Sequence, residues 1–496
     1  MGWTYKREDA EKARAVGFRD AQRSFDFEYP WLTEPLTKQE IDIDLPPSLS
    51  CKGGLTKGQR QGFILILMLL GLSGLSQPEL LLSGLSGVFW VLFSLLVLWR
   101  AALLAGGLAL ATKKTSDLAA YDLDLPIYTV MIAAYKEADV MPQLAQALRK
   151  LDWPDDRLDI MLLLEEDDSE TLPAALHARF PKGTRIITVP NGLPKTKPRA
   201  LNFGLARAKG EFICIFDVED RPHPSQLKAA YAKFCHSGPE LVCIQAPLIG
   251  ANANRGWLAA HWSLEYAVQF RFLLPALAAI QAPIPIGGTS NHFRRTSLID
   301  AGGWDAFNVT EDADLGLRFS RLGWQVQAIN LGTLEDAPTT LRDWKAQRSR
   351  WIKGFIQTWL VLMRRPSLTL KQLGWRNFIM LQLTLGGAIL APVAHGPLFI
   401  VLLASVLVDQ LSPGAAGWAL LITGWLVTLS GDLAAPGVPL RGRLLGALTR
   451  IFYWPLHSIA AAMALYEMVT RPHYWAKTPH TPSMDTDAAC STGLLP

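Results

Sequence analysis

Asp217 and Glu219, two residues apart in Asp217-Val218-Glu219-Asp220, could share one hard cation through their carboxylates. Mg2+ or Mn2+ held there, with Asp220 as an alternative second acid, would offset charge growing on a departing diphosphate. A solvated acidic turn is the competing reading. Glu165-Glu166-Asp167-Asp168 offers Asp167 or Asp168 as acceptors for a base N–H or a ribose hydroxyl. Asp168 could instead cap a helix opening at Ser169-Glu170-Thr171. Thr310-Glu311-Asp312 puts Asp312 at a helix start, where it could take the proton of an attacking hydroxyl or simply face the helix dipole. Glu311 shares that candidacy. In Gln347-Arg348-Ser349-Arg350-Trp351, Arg350 could pair with a diphosphate and Trp351 could offer its face to a sugar ring. Each string alone is weak; their order and setting carry the argument.

Short runs rich in Val, Ile and Leu would position the first two strings. Tyr128–Ala134, 159–164, Arg185–Val189, Phe212–Phe216 and Leu241–Gln245 read as strands buried on both faces of a parallel sheet. Helical stretches at 141–151 and 198–208 alternate with them, which predicts a doubly wound α/β domain. The two acidic strings then fall where such a sheet presents its ligand-binding edge. Tyr135 and Glu137 follow the first strand, so Tyr135 falls near a bound nucleobase. Lys197 could meet a phosphate or lie in a surface basic turn. Neither a dinucleotide glycine fingerprint nor a Walker A lysine motif is present, so diphosphate binding would call for a metal.

Half of the 496 residues are hydrophobic, 19% are charged, and mean hydropathy is +0.17. That balance points to a membrane. Uncharged runs at 61–77, 80–99, 377–408, 410–431 and 451–466 are each candidates to span it. The third would be about 48 Å long as one helix. Pro392 and Pro397 should split it into two helices or a re-entrant hairpin. Lys52, Lys57 and Arg60 before the first run, with Lys113 and Lys114 after the second, put both flanks in the cytosol. Four C-terminal spans would return the basic tail there, and three would not. The helix with Trp344, Trp351, Phe355 and Trp359 at helical spacing should lie in the headgroup layer, against membrane lipid.

The resulting division is a cytosolic segment (1–60), two spanning helices (61–112), an α/β domain (113–341), interfacial helices (342–376), three or four spans (377–469) and a tail (470–496). A net charge of +4 gives no basic face for nucleic acid. Five cysteines without a Cys-x-x-Cys pair read as reduced thiols, and the polar first 40 residues read as no signal peptide.

The four strings in this order, between apolar runs, resemble the processive membrane glycosyltransferases of family 2, the group of cellulose, chitin, hyaluronan and curdlan synthases. Gly287 to Phe293, Gly302-Gly303-Trp304-Asp305 and Trp475 to His480 are similar to a bacterial exopolysaccharide subgroup. The resemblance implies a GT-A-like fold and an inverting transfer from a UDP-sugar, UDP-glucose foremost, to a growing β-linked polysaccharide. A non-processive enzyme with a lipid-linked acceptor is the alternative, and a non-catalytic membrane subunit a more distant one. Asp168 would contact the nucleotide, Asp217 and Glu219 the metal, and Asp312 would be the base. Gln347, Arg350 and Trp351 would line the donor–acceptor junction. Thr289, Ser290, Asn291 and His292 would border the acceptor. Such an enzyme would sit in the bacterial inner membrane with a periplasmic export partner. Glu219 stands where the family has aspartate, and the first cluster lacks the family's Asp-Asp-Gly-Ser wording.

Overall fold

The computed structural model describes residues 45–112, 124–405, 407–408 and 412–474. Lys113, Lys114, the string from Trp475 to His480 and Cys490 lie outside the described residues. The five apolar runs read as strands all form them: β1 (Tyr128–Ala134), β2 (Leu158–Glu165), β3 (Arg185–Val189), β4 (Phe212–Phe216) and, after the short β5 (Arg221–Pro222), β6 (Leu241–Gln245). Every residue of β4 and β6 is buried, as expected of central strands covered on both faces. Short strands follow: β7 (Leu248–Gly250), β8 (Asn291–Arg294), β9 (Gln325–Ala328) and β10 (Thr333–Glu335).

The main sheet runs β3-β2-β1-β4-β8-β6-β9, and β5-β10-β7 form a small second sheet. β8 lies antiparallel to both β4 and β6, so the sheet is mixed rather than wholly parallel. Its polar Asn291-His292 start hides it from a hydrophobicity reading. His292 is buried with both ring nitrogens partnered. His292 Nδ1 lies 2.8 Å from Tyr128 Oη, and His292 Nε2 lies 3.2 Å from Gln226 Oε1.

Two apolar clusters cover the faces of the sheet, one holding Met131, Leu163 and Ile215, the other Val130, Leu162 and Phe216. Cys51, Cys214 and Cys243 are buried free thiols. One ion pair knits the start of the sheet. Arg185 donates from Nε and Nη2 to Asp159 at 2.8 Å each, and Asp159 also accepts from Thr129 Oγ1 at 2.8 Å and Lys209 N at 3.1 Å. Asp159→Ala strands a buried guanidinium and is expected to cost about 3–5 kcal/mol. A fall in thermal unfolding temperature checks it.

Among the described residues, four stretches are long and apolar enough to cross a membrane: Lys57–Ser76, Pro78–Ala111, Pro366–Ser405 and Gly414–Ala434. A capping box between Thr56 and Gln59 starts the first. Pro392 and Pro397 do not split the third, contrary to the sequence expectation: the helix Gly387–Ser405 continues through both. Ser458 from the neighbouring helix enters its ladder. The Ser458 hydroxyl donates to Pro392 O at 2.5 Å and accepts from Gly396 N at 2.7 Å. The backbone instead departs from helical geometry at Gly374, with φ 73°. The helix Leu440–Thr470 carries Arg441, Arg443, Arg450 and Glu467. It meets the α/β block at Thr449, and the chain just past its end meets the helix Leu341–Leu362. Trp257 donates to Thr449 Oγ1 at 2.7 Å, and Gln357 donates to Pro472 O at 2.9 Å. Two of these candidate stretches follow the α/β block among the described residues.

Candidate active site

The turn after β4 forms because Asp220 folds back on it. Asp220 Oδ2 accepts from Asp217 N at 2.7 Å and from the Thr289 hydroxyl. This buried carboxyl is pushed well above the usual range by burial first, then by the charges of Asp217 and Glu219. With Asp220 turned inward, Asp217 and Glu219 are the pair that faces the cavity. Lys197, at the start of the helix Lys197–Leu205, donates to Asp217 Oδ1 and, at 2.7 Å, to Gly288 O. Burial would lower the Lys197 ammonium, but the Asp217 and Glu311 carboxylates outweigh it and hold it above its ordinary value.

Gly288 connects this corner to the next. A Cβ there would stand 3.2 Å from Asp312 Oδ2, so the bare backbone lets β8's approach loop pass close to the carboxylate. Asp312 lies in the first turn of the helix Glu311–Arg321. Burial raises its carboxyl; a backbone N–H, Lys197 and Arg350 oppose this. Glu311 is pushed up to about 7 by burial and then by Asp312.

The helix Leu341–Leu362 brings the aromatic corner. Gln347 Oε1 accepts from Trp262 Nε1 at 2.9 Å, and Trp351 leans on Tyr266 with centroids 5.9 Å apart. Arg348 lies over the Trp351 ring at 4.6 Å and donates to Glu265 at 2.5 Å. Gly354 sets the distance between this helix and the Glu311 helix, because a Cβ there would stand 2.5 Å from Thr310 Cγ2. Gly354→Ala is therefore expected to destabilise by about 1–3 kcal/mol through overpacking. It should also lower kcat more than a surface Gly→Ala of equal cost in unfolding temperature, because it shifts Arg350 and Trp351 against Asp312.

One cavity of about 1360 Å3 gathers Tyr135, Glu137, Lys197, Asp217, Glu219, Thr289, Glu311, Asp312, Gln347, Arg350 and Trp351. Other expected residues are elsewhere. Asp168 accepts from Lys136 N at 2.5 Å, Glu170 N at 3.1 Å and Thr171 N at 3.0 Å, the local capping role that competed with ligand contact. Asp167 sits at the rim, bound to Lys195 and 3.5 Å from Tyr135 Oη. The Lys195 salt bridge holds the Asp167 carboxyl below its usual range. Ser290, Asn291 and His292 are in the interior, not on the cavity wall: Ser290 donates to Thr333 Oγ1 at 2.6 Å and Asn291 to Gly287 O at 2.5 Å.

Sequence reasoning missed Trp262, Glu265 and Tyr266, which hold the Gln347 helix in place. Their i, i+3, i+4 spacing on the helix Trp257–Val268 was the available signal.

The pair Asp217 and Glu219 suits a hard divalent ion by its donor type. No group of three or more His, Cys, Asp or Glu suited to a metal occurs among the described residues. Two carboxylates match the way Mg2+ is commonly bound, with water and phosphate completing the shell.

Fold and site together define an α/β domain whose sheet edge forms an acid-lined cleft against apolar helices. The chain belongs to glycosyl transferase family group 2, whose description matches residues 212–466. Among curated proteins it is 26% identical over 247 residues to the probable glycosyltransferase YdaM of Bacillus subtilis (strain 168), covering 47% of this chain and 56% of that protein. It is 27% identical over 241 residues to glucomannan 4-beta-mannosyltransferase 2 of Arabidopsis thaliana, covering 47% and 45%. The chain thus spans about half the length of these relatives. Among solved structures it is similar to the mannosyltransferase PcManGT of Pyrobaculum calidifontis, with 18% identity, TM-score 0.47, and 76% and 99% of the two chains covered.

Proposed function

We propose that the protein is an inverting, processive polysaccharide synthase with a GT-A-like catalytic domain, extending a β-linked glycan from a UDP-sugar, UDP-glucose foremost. The observation that supports this reading is the course of the cavity. It begins at Asp217, Asp312 and Trp351 and continues between the apolar helices, past Phe93, Phe399 and Trp425. A substrate growing at Asp312 would have an enclosed way onward, with aromatic faces suited to sugar rings.

In this reading Tyr135 and Asp167, at the rim, receive the nucleoside. Asp217 and Glu219 would hold Mg2+ or Mn2+, which when bound supplies charge neutralisation at the diphosphate. Lys197 and Arg350 direct cationic groups to the same oxygens. Asp312 takes the proton from the acceptor hydroxyl as it attacks the anomeric carbon opposite the leaving diphosphate. Trp351, fixed by Tyr266 and Arg348, supports the acceptor sugar. The four apolar stretches cross a bacterial inner membrane with the α/β domain cytosolic, and the product passes to a periplasmic export partner.

A mannosyl donor is the second reading, favoured by the names of the plant relatives. The test is protein purified in lipid nanodiscs, supplied separately with UDP-glucose and GDP-mannose. Release of UDP with a ladder of β-linked products is expected. One sugar added per acceptor would move the assignment to a non-processive transferase. Absence of nucleotide release from both donors would overturn it.

A further inference from the structure

The small second sheet brings one more carboxylate to the aromatic corner of the cleft. Gly250, at the end of β7, lies directly on the helix Trp257–Val268, where a Cβ would stand 2.8 Å from Ser263 Cβ. β10 pairs with β7 so that Glu335 faces Gly250, and Ala251 N donates to Glu335 O at 2.9 Å. Just beyond, Asn252 and Ala337 form a reciprocal clamp. Asn252 Nδ2 donates to Ala337 O at 2.9 Å, and Ala337 N donates to Asn252 Oδ1 at 2.8 Å. Ala337 packs on Trp262 together with Tyr266 and Trp351. The backbone on both sides of Glu335 is thereby fixed, and Glu335 lines the cavity with Tyr266, Gln347 and Trp351. Tyr266 registers that carboxylate: burial first, then the charge of Glu335, pushes its hydroxyl well above the ordinary value.

The rings beside it form a continuous platform. Trp262 and Tyr266 stack with centroids 3.6 Å apart and planes 22° from parallel, and Tyr266 meets Trp351 at 5.9 Å and 30°. Such faces suit the C–H side of a sugar ring. The ring's hydroxyls then need acceptors at the platform's edge. An ionised carboxylate is an acceptor only, and the bonds it takes from hydroxyls are of the strong, charge-assisted kind. Asp336, the next residue, is tied to Arg221 at 2.8 Å. Of the cations near Tyr266, Arg348 is held by Glu265 at 2.5 Å, and Arg350 serves the diphosphate in the reading above. We propose that Glu335 is a specificity-determining residue, accepting hydrogen bonds from the hydroxyls of the acceptor sugar that rests on Trp351 and thereby selecting an uncharged sugar at the growing end. A uronate there would set its carboxylate against that of Glu335, and like charges brought together at a binding surface exclude the wrong partner. This rests on the polysaccharide reading above and names the class of its acceptor.

The test is equilibrium binding of oligosaccharides to the full chain in nanodiscs, with UDP and Mn2+ present and no sugar donor, so that nothing turns over. The probes are a β-linked glucose hexasaccharide and the same hexasaccharide with glucuronate at its non-reducing end. Parent protein is expected to bind the neutral probe at least about tenfold more tightly, the scale of one charge-assisted hydrogen bond. Glu335→Gln should weaken the neutral probe and tighten the glucuronate probe, so that the preference shrinks or reverses. A gain of affinity for the acidic probe is a result that misfolding does not produce, and thermal unfolding of the variant checks its integrity. Equal binding of the two probes by the parent, a preference unchanged in Glu335→Gln, or equal weakening of both probes in that variant would each overturn the proposal and leave the polysaccharide reading standing. Failure of either probe to bind the parent at all would overturn both.

Discussion

Asp312→Asn is expected to lower kcat by roughly a hundred- to ten-thousandfold, the contribution of a positioned general base, with donor affinity little changed. The asparagine keeps the volume that fits beneath Gly288, where a Cβ would stand 3.2 Å from Asp312 Oδ2, so the loss reports proton transfer rather than packing. The same carboxylate sets the pH profile. Burial raises Asp312, and Glu311 is pushed up to about 7 by burial and by Asp312. The two titrate as a pair. A base works only after losing its proton, so kcat/KM should rise with pH through an acid limb lying above the ordinary carboxylate range, in the direction that burial moves Asp312, and level off above it. Glu311→Gln removes one member, so the limb should change shape or position while much of the rate survives. Initial rates of nucleotide release between pH 5 and 9 decide this. An Asp312→Asn protein that retains the parent's rate and acid limb would exclude Asp312 as the base.

The sequence made the first half of the sheet legible because β1 to β4 and β6 are continuous apolar runs, and burial on both faces demands that composition. It hid β8, where His292 is interior because Tyr128 and Gln226 satisfy both its ring nitrogens. Such satisfaction is a tertiary fact with no local signature. The same limit governs the acids. Side chains such as Asp217 and Asp220 look equivalent in a four-residue string. Only the fold shows that Asp220 clasps the turn while Asp217 and Glu219 face the cavity. Asp168 shows the reverse case: its capping role was readable from Ser169-Glu170-Thr171, and the bonds to Glu170 N and Thr171 N are those of that role. The proline run misled for a different reason. Ser458, 62 residues from Gly396, bridges Gly396 N and Pro392 O beside Pro397 within the continuous helix.

Asp217→Asn should be the second most damaging change, and its readout need not be turnover. If Asp217 and Glu219 are the protein's ligands to a divalent ion, each supplies a large share of a donor set that has only two carboxylates. Removing partners that merely orient ligands already costs about 10–100-fold in metal affinity, so loss of a ligand should cost no less. Mn2+ titration followed by electron paramagnetic resonance, in the presence of UDP, should therefore show a drop of at least about tenfold for Asp217→Asn and for Glu219→Gln. Asp220→Asn separates the two possible second ligands. Its Oδ2 serves Asp217 N and Thr289, so this change should act on unfolding temperature and leave Mn2+ affinity close to the parent's. Lys197 sharpens the test. Its ammonium lies on Asp217, where it competes with an incoming cation, so Lys197→Met should tighten Mn2+ binding without UDP while weakening UDP itself. Unchanged Mn2+ affinity in Asp217→Asn and Glu219→Gln together would remove the metal from this turn and leave the proposed diphosphate contact to cationic side chains such as Lys197 and Arg350.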